Sequence, residues 1–209
     1  MIDIGTWTAF ALASAALLAI PGPTVMLAVS YALGRGARTA WATVPGVTLG
    51  DFTAMSVSLA GAGAVLAASA ELFTVLKLAG AAYLVWLGIG LWRADAVLAE
   101  PPATRAPGDM RRMAWQAYVV TALNPKSIVF FVAFVPQFMD PARAFLPQAA
   151  VLVGTFCALA AVNILLWALA AGEMRRRLAR PAVLRALTRT GGGLLVCAGL
   201  LTALMRRPA

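Results

Sequence analysis

Apolar residues run along this chain in long blocks, without the strict alternation of a half-buried strand. The blocks cover roughly residues 6–33, 39–67, 72–92, 114–138, 145–171 and 187–205, and Ala, Leu, Val and Gly dominate them. A helix needs about 20 apolar residues to cross a hydrocarbon core about 30 Å thick, whereas a membrane strand needs only about 10. The pattern predicts an all-α integral membrane protein with six transmembrane helices. Residues 93–112, "RADAVLAEPPATRAPGDMRR", form the only long polar stretch before the last third. The chain therefore divides as one transmembrane domain over 1–209: a first three-helix repeat over about 1–95, a linker over 93–112 and a second repeat over about 112–209.

Composition moves the reading in the same direction. The apolar fraction is 62% and the charged fraction 12%, with a mean hydropathy of +0.85. Soluble domains average roughly 45–50% and 25%. The start, "MIDIGTWTAF", places no basic residues ahead of its apolar stretch, so a cleavable signal peptide is not expected. The net charge of +9 sits between the blocks, which argues against nucleic acid as a partner. Arg35, Arg38, Arg93, Arg105, Arg111, Arg112, Arg175, Arg176, Arg177, Arg180, Arg185 and Arg189 occupy the first, third and fifth connections, twelve of the 17 basic residues. The positive-inside rule places those connections, the linker included, in the cytoplasm and both termini outside. Residues 173–189, "EMRRRLARPAVLRALTR", read as a topology determinant, with an amphipathic contact to anionic headgroups as the alternative. Histidine is absent, and Cys157 and Cys197 lie in apolar blocks without CxxC spacing. No metal, cofactor or enzymatic activity is expected.

Two blocks are interrupted. The first contains "LLAIPGPTVMLAV" at 17–29 and the fourth "ALNPKSIVFF" at 122–131. An interior proline costs a helix about 3 kcal/mol. A shift of 104 residues brings Pro21 onto Pro125 and Gly50 onto Gly154, and Gly80 and Gly88 share their spacing with Gly191 and Gly199. Three spans per half turn the second repeat upside down relative to the first. Inverted repeats with broken first helices are a transporter design, with the site near the midplane. Pro21, Gly22 and Pro23 free carbonyls from about residue 17 to 19, and the next half-helix starts near Thr24. Asn124 suits an N-cap and Pro125 the first helical position, with Lys126 beside them. Freed carbonyls take an ammonium and a half-helix N-terminus takes a carboxylate, so the pair suits a zwitterion such as an amino acid.

Ionisable and polar groups within the blocks are few, and each is expensive there. Asp51, in "VPGVTLGDFTAM", has three readings: contact to a substrate ammonium, carrier of a coupling proton, or structural ion pair with Lys126. Lys77 is either a snorkelling cation near the outer end or a charged group at the rim of the path. Asn163 is either interhelical glue or a ligand. Gly46 and Gly50 have GxxxG spacing, which serves packing within one chain or between two copies and leaves a homodimer open.

Four stretches together resemble the lysine-exporter superfamily, and within it the branch of homoserine/threonine-resistance-type exporters. They are "PGP" at 21–23, "GD" at 50–51 after the glycine-spaced second helix, "KLAGAAYLVWLGIGLWR" at 77–93 and "NPKSIVFFVAFVPQF" at 124–138. The resemblance implies a multi-pass protein of the bacterial inner membrane. Its implied role is a secondary transporter that exports an amino acid or close derivative, driven by the proton motive force. Substrate, protons and membrane lipids are then the partners, and the outward direction comes from the resemblance alone. Many members carry a polar or acidic residue directly after the first motif, where this chain has Thr24, so no acidic contact is carried over to that position. Alternatives are export of another small solute or a metal ion, or the thiol–disulfide electron transfer of other superfamily members. The last needs paired cysteines beside the breaks of the first and fourth helices, whereas Cys157 and Cys197 fall in the fifth and sixth blocks.

Overall fold

The computed structural model describes residues 2–93, 110–140, 142–178 and 181–204. Most of the polar linker predicted over 93–112 lies outside them. All regular elements among the described residues are helical: α1 (Ile4–Ala19), α2 (Pro23–Arg35), α3 (Ala40–Ala68), α4 (Ala70–Arg93), α5 (Met110–Ala122), α6 (Pro125–Val129), α7 (Phe145–Leu178) and α8 (Pro181–Leu204). Asp3 caps α1 by accepting the Thr6 N–H at 2.9 Å, which satisfies one of the amides that a helix start leaves unpaired. Gly36, at φ 84°, closes α2 in a conformation that side chains disfavour.

Both interrupted blocks are broken helices. α1 and α2 meet at 56°, and α5 meets the 125–138 segment at 43°. Downstream of its break, α6 loosens into a π-helical turn, Phe130–Phe134, and then tightens into a 3₁₀ turn, Val135–Phe138. Such turns often accompany functional breaks. Here the π turn directs Phe130, Phe131 and Phe134 into a buried aromatic cluster, with Phe131 against Phe156 at 4.8 Å and Phe134 against Phe138 at 5.0 Å. By length and hydropathy, Phe145–Ala171 suffices to cross a bilayer alone, and each bent pair suffices as one span. Thr74–Gly90 and Leu195–Leu204 are shorter apolar stretches. The outer surface carries Leu12, Leu49, Val57, Leu166, Leu169 and Leu204, all exposed, a coat that lipid tolerates and water does not.

Packing crosses between the halves. α3 lies against α5, α7 against α1 and α2, and α4 along α8. A Cβ on Gly46 would fall 2.3 Å from the Ala114 carbonyl oxygen, and one on Gly50 2.8 Å from that of Tyr118. The GxxxG pair thus seats α3 on α5 inside one chain. Gly88 and Gly199 do the same for α4 and α8, each leaving less than 3 Å to the facing backbone oxygen. Gly154, aligned with Gly50 in the sequence repeat, has open space beside it.

Two large buried apolar clusters result, beside a small one of Tyr31, Ala42 and Met113. One gathers Phe10, Leu17, Met55, Leu84 and Phe131, and the other Val25, Val29, Val47, Ala117 and Ile164. α3 and α7 pass from one cluster to the other, whereas α4 and α8 contribute only to the first. α3 changes between Val47 and Ala54, α7 between Ala160 and Ile164, and both breaks lie at the same boundary.

Candidate functional site

That boundary is where the polar groups collect. α1 ends at Ala19, and Ile20 turns the chain out of the helix, its N–H reaching only the Leu17 carbonyl at 3.3 Å. Neither Pro21 nor Pro23 has an N–H to offer, so the last carbonyls of α1 need other donors. α2 then starts from an extended Gly22 with Pro23 in its first turn. At the second break, the Asn124 side chain accepts the Lys126 N–H at 3.1 Å, and Pro125 opens α6.

Side chains from the second half supply the missing donors. The Lys126 ammonium donates to the carbonyls of Leu17, at 3.3 Å, and Ile20, at 3.1 Å. Asn163 of α7 donates to Leu18 at 3.1 Å. Thr24, at the head of α2, accepts from the Thr121 hydroxyl at 3.2 Å and from the Asn124 amide at 3.4 Å. Farther along the same pair of helices, Tyr31 donates to Gln116. The two breaks are therefore cross-linked: the lysine of one is a ligand of the other.

Between them lies a cavity of about 30 Å³, room for a water molecule or two. Its polar lining comes from Gly22, Thr24, Asp51, Asn124, Lys126, Ser127 and Asn163, and its apolar lining from Leu17, Leu18, Ile20, Val25, Val47 and Ile164. Asp51 is only 2% exposed. Among the described residues, its carboxylate makes no hydrogen bond and no ion pair, although Lys126 lines the same cavity. The lysine pairs instead with neutral carbonyls, a partner that the sequence did not suggest.

Of the ten residues singled out by sequence, Gly22, Thr24, Asp51, Asn124, Lys126 and Asn163 meet around this cavity. Pro21, Pro23 and Pro125 bracket it as backbone. Lys77, half-buried on α4, is not part of the lining. Sequence reasoning missed Ser127 and Thr121. Both were within reach of one-turn spacing, Ser127 three residues after Asn124 and Thr121 three before it. The cysteines stand apart from the lining: both are free, Cys157 with its thiol 3.7 Å from the Thr48 carbonyl and Cys197 exposed.

An apolar helical chain whose two broken helices cross-link around a small polar cavity has the build of a membrane translocator. The chain belongs to the LysE type translocator family, whose profile matches residues 15–206. It is 33% identical over 204 residues to an uncharacterized membrane protein of Vibrio cholerae, covering 97% of this chain and 98% of the relative. It is also 33% identical over 202 residues to the homoserine/homoserine lactone efflux protein of Salmonella typhimurium, covering 96% and 97%. A leucine efflux protein of an Enterobacter species is 31% identical over 132 residues, 59% of each chain. No solved structure matches.

Proposed function

We propose that this chain exports an amino acid or close derivative across the bacterial inner membrane as a proton-coupled secondary transporter. The cavity between the two breaks is its substrate site. One observation carries the reading: six of the ten residues picked for this role meet in one polar pocket between two apolar cores. Lys126 and Asp51 give that pocket one positive and one negative group, a set matched to the two ends of a zwitterion. The names of the relatives, efflux proteins for homoserine and for leucine, favour a neutral amino acid.

In this reading the chain crosses the bilayer six times as two inverted three-helix repeats, each bent pair being one span. The helix pairing supports it. A two-fold exchange of halves turns the first span into the fourth, the second into the fifth and the third into the sixth. The contact of α3 with α5 then becomes that of α7 with α1 and α2, and α4–α8 maps onto itself; all are present. A cavity of about 30 Å³ is too small for an amino acid, so the conformation is a contracted one and transport requires the breaks to part. Alternating access in such folds is a rocking of one repeat against the other.

The test is efflux. Cells overexpressing the chain, preloaded with labelled neutral amino acids, lose at least one of them faster than control cells, and a protonophore abolishes the difference. Unchanged loss across a broad panel overturns the proposal.

A further inference from the structure

We propose that the carbonyl group at the C-terminal end of α1 is a primary-ammonium site. In this conformation the protein's own Lys126 fills it, and during transport the substrate's ammonium takes its place. The second half of this statement rests on the exporter reading above; the first does not.

The site is built by the backbone. The end of an α-helix carries about half a negative charge on carbonyls that lack intrahelical donors. Pro21 and Pro23 withhold the N–H groups that would meet Leu17 and Ala19. Three carbonyls at this end have side-chain donors: Leu17, which also accepts the Ile20 N–H, and Ile20 take the Lys126 ammonium, and Leu18 takes the Asn163 amide. An ammonium has three donors, and two are used here. Gly22 leaves one flank of the cation clear, since a Cβ at that position would touch the nitrogen at 3.4 Å. The cation is thus held from one side by neutral oxygens and faces the cavity on another.

The occupant also has somewhere to go. Asp51 lines the same cavity and its carboxylate is unpaired among the described residues. A hydrogen bond between ions is roughly twice as strong as one between neutral groups, so a carboxylate competes with carbonyls for Lys126. Two carboxylates can claim the lysine: that of Asp51 and that of an arriving zwitterion. When either draws it away, the vacated carbonyls need a replacement cation, and the substrate's ammonium is the group of matching charge and donor count. Net charge in the cavity is unchanged by the exchange. Because Lys126 joins α6 to α1, its departure also unties the two breaks, which links substrate entry to their separation. The geometry thus assigns Lys126 two tasks, placeholder for the substrate's amine and tether between the repeats.

A measurement that does not depend on transport tests the site. The purified full chain carrying Lys126→Ala lacks the side chain and keeps the carbonyls, so n-propylammonium, a severed lysine tip, binds it. The expected result is a saturable rise in Tm of Lys126→Ala of about 3–5 °C at ten times the half-saturating concentration. Wild type, already filled, does not respond, and neither protein responds to tetramethylammonium, which has no N–H. No rise, or the same rise in wild type, overturns the ammonium site. Should Lys126→Ala fail to fold, Lys126→Met with the ammonium ion replaces it, with the same outcomes deciding.

Labelled efflux with free and N-acetylated amino acid tests the exchange, the free form being transported and the N-acetylated form losing at least tenfold in rate. Equal rates overturn the exchange. Amine rescue without any amino-acid efflux retains the ammonium site and removes the exporter reading; efflux without rescue does the opposite.

Discussion

Asp51 illustrates how little a residue's identity says without its surroundings. Its sequence position left three roles open, and its neighbours set the terms on which they are tested. The carboxylate is buried, faces the cavity and pairs with no described residue. No direct contact joins it to the Lys126 ammonium, which is held at the end of α1, while the two groups share the cavity. A group that is unpaired in one state and paired in another can carry a proton through the cycle. Asn has the same shape as Asp without the ionisable group, so Asp51→Asn isolates that property. Exchange of labelled for unlabelled substrate should survive within a few-fold, while net efflux loses its response to a proton gradient. Retained gradient dependence in a folded Asp51→Asn protein removes Asp51 from the coupling.

Elements, in contrast, were largely legible in the sequence. The length of each apolar block predicted a helix, and the prolines at 21–23 and 125 predicted the two breaks. Proline alone did not decide them: α3 continues through Pro45, which lies on an exposed face of the helix between Trp41 and Leu49. Pro-Gly-Pro removes two donors around a residue that has no side chain to pack. Asn-Pro supplies an N-cap that rewards a new start. What could not be read was the partner of each freed carbonyl. Lys126 and Leu17 are 109 residues apart, and their meeting depends on how α3 docks on α5. The π turn after α6 was equally hidden, since its aromatic cluster forms only when α1 and α7 arrive. Glycine spacing was informative in α3, where Gly46 meets the Ala114 backbone, whereas Gly154 in α7, the counterpart of Gly50 in the repeat, has open space beside it. Those two glycines make a matched test. Gly46→Ala forces α3 and α5 apart and should destabilise the protein by about 1–3 kcal/mol. Gly154→Ala should leave it unchanged or stabilise it by a few tenths, since alanine favours a helix. Thermal unfolding in one detergent compares them, and equal effects contradict the packing described for α3.

Orientation belongs to the molecule as a whole, and it follows from charge rather than from contacts. The proposed inverted arrangement requires the first and fourth spans to enter from opposite faces, so in it fixing one end of α1 fixes the direction of every helix. Arg35 and Arg38 stand where α2 passes into α3, and Arg111 and Arg112 at the head of α5. Basic residues resist translocation, so the proposed topology has both groups on the cytoplasmic face. Asp3 at the start of α1 and Ser69 between α3 and α4 then lie on the opposite face. In the proposed exporter the Tyr31–Gln116 bond, where α2 and α5 meet, falls on the cytoplasmic side of the cavity and closes it toward the side from which substrate comes. Single cysteines at these positions measure the orientation once Cys157 and Cys197 are replaced by alanine. Both replacements are mild, because neither thiol lines the cavity. A membrane-impermeant maleimide applied to intact spheroplasts should label Asp3→Cys and Ser69→Cys and spare Arg38→Cys until the cells are lysed. The reverse pattern turns the protein over and places the Tyr31–Gln116 closure at the exit. Labelling of Asp3→Cys and Arg38→Cys from one face breaks the first bent pair into a re-entrant loop, and with it the two-fold relation between the halves.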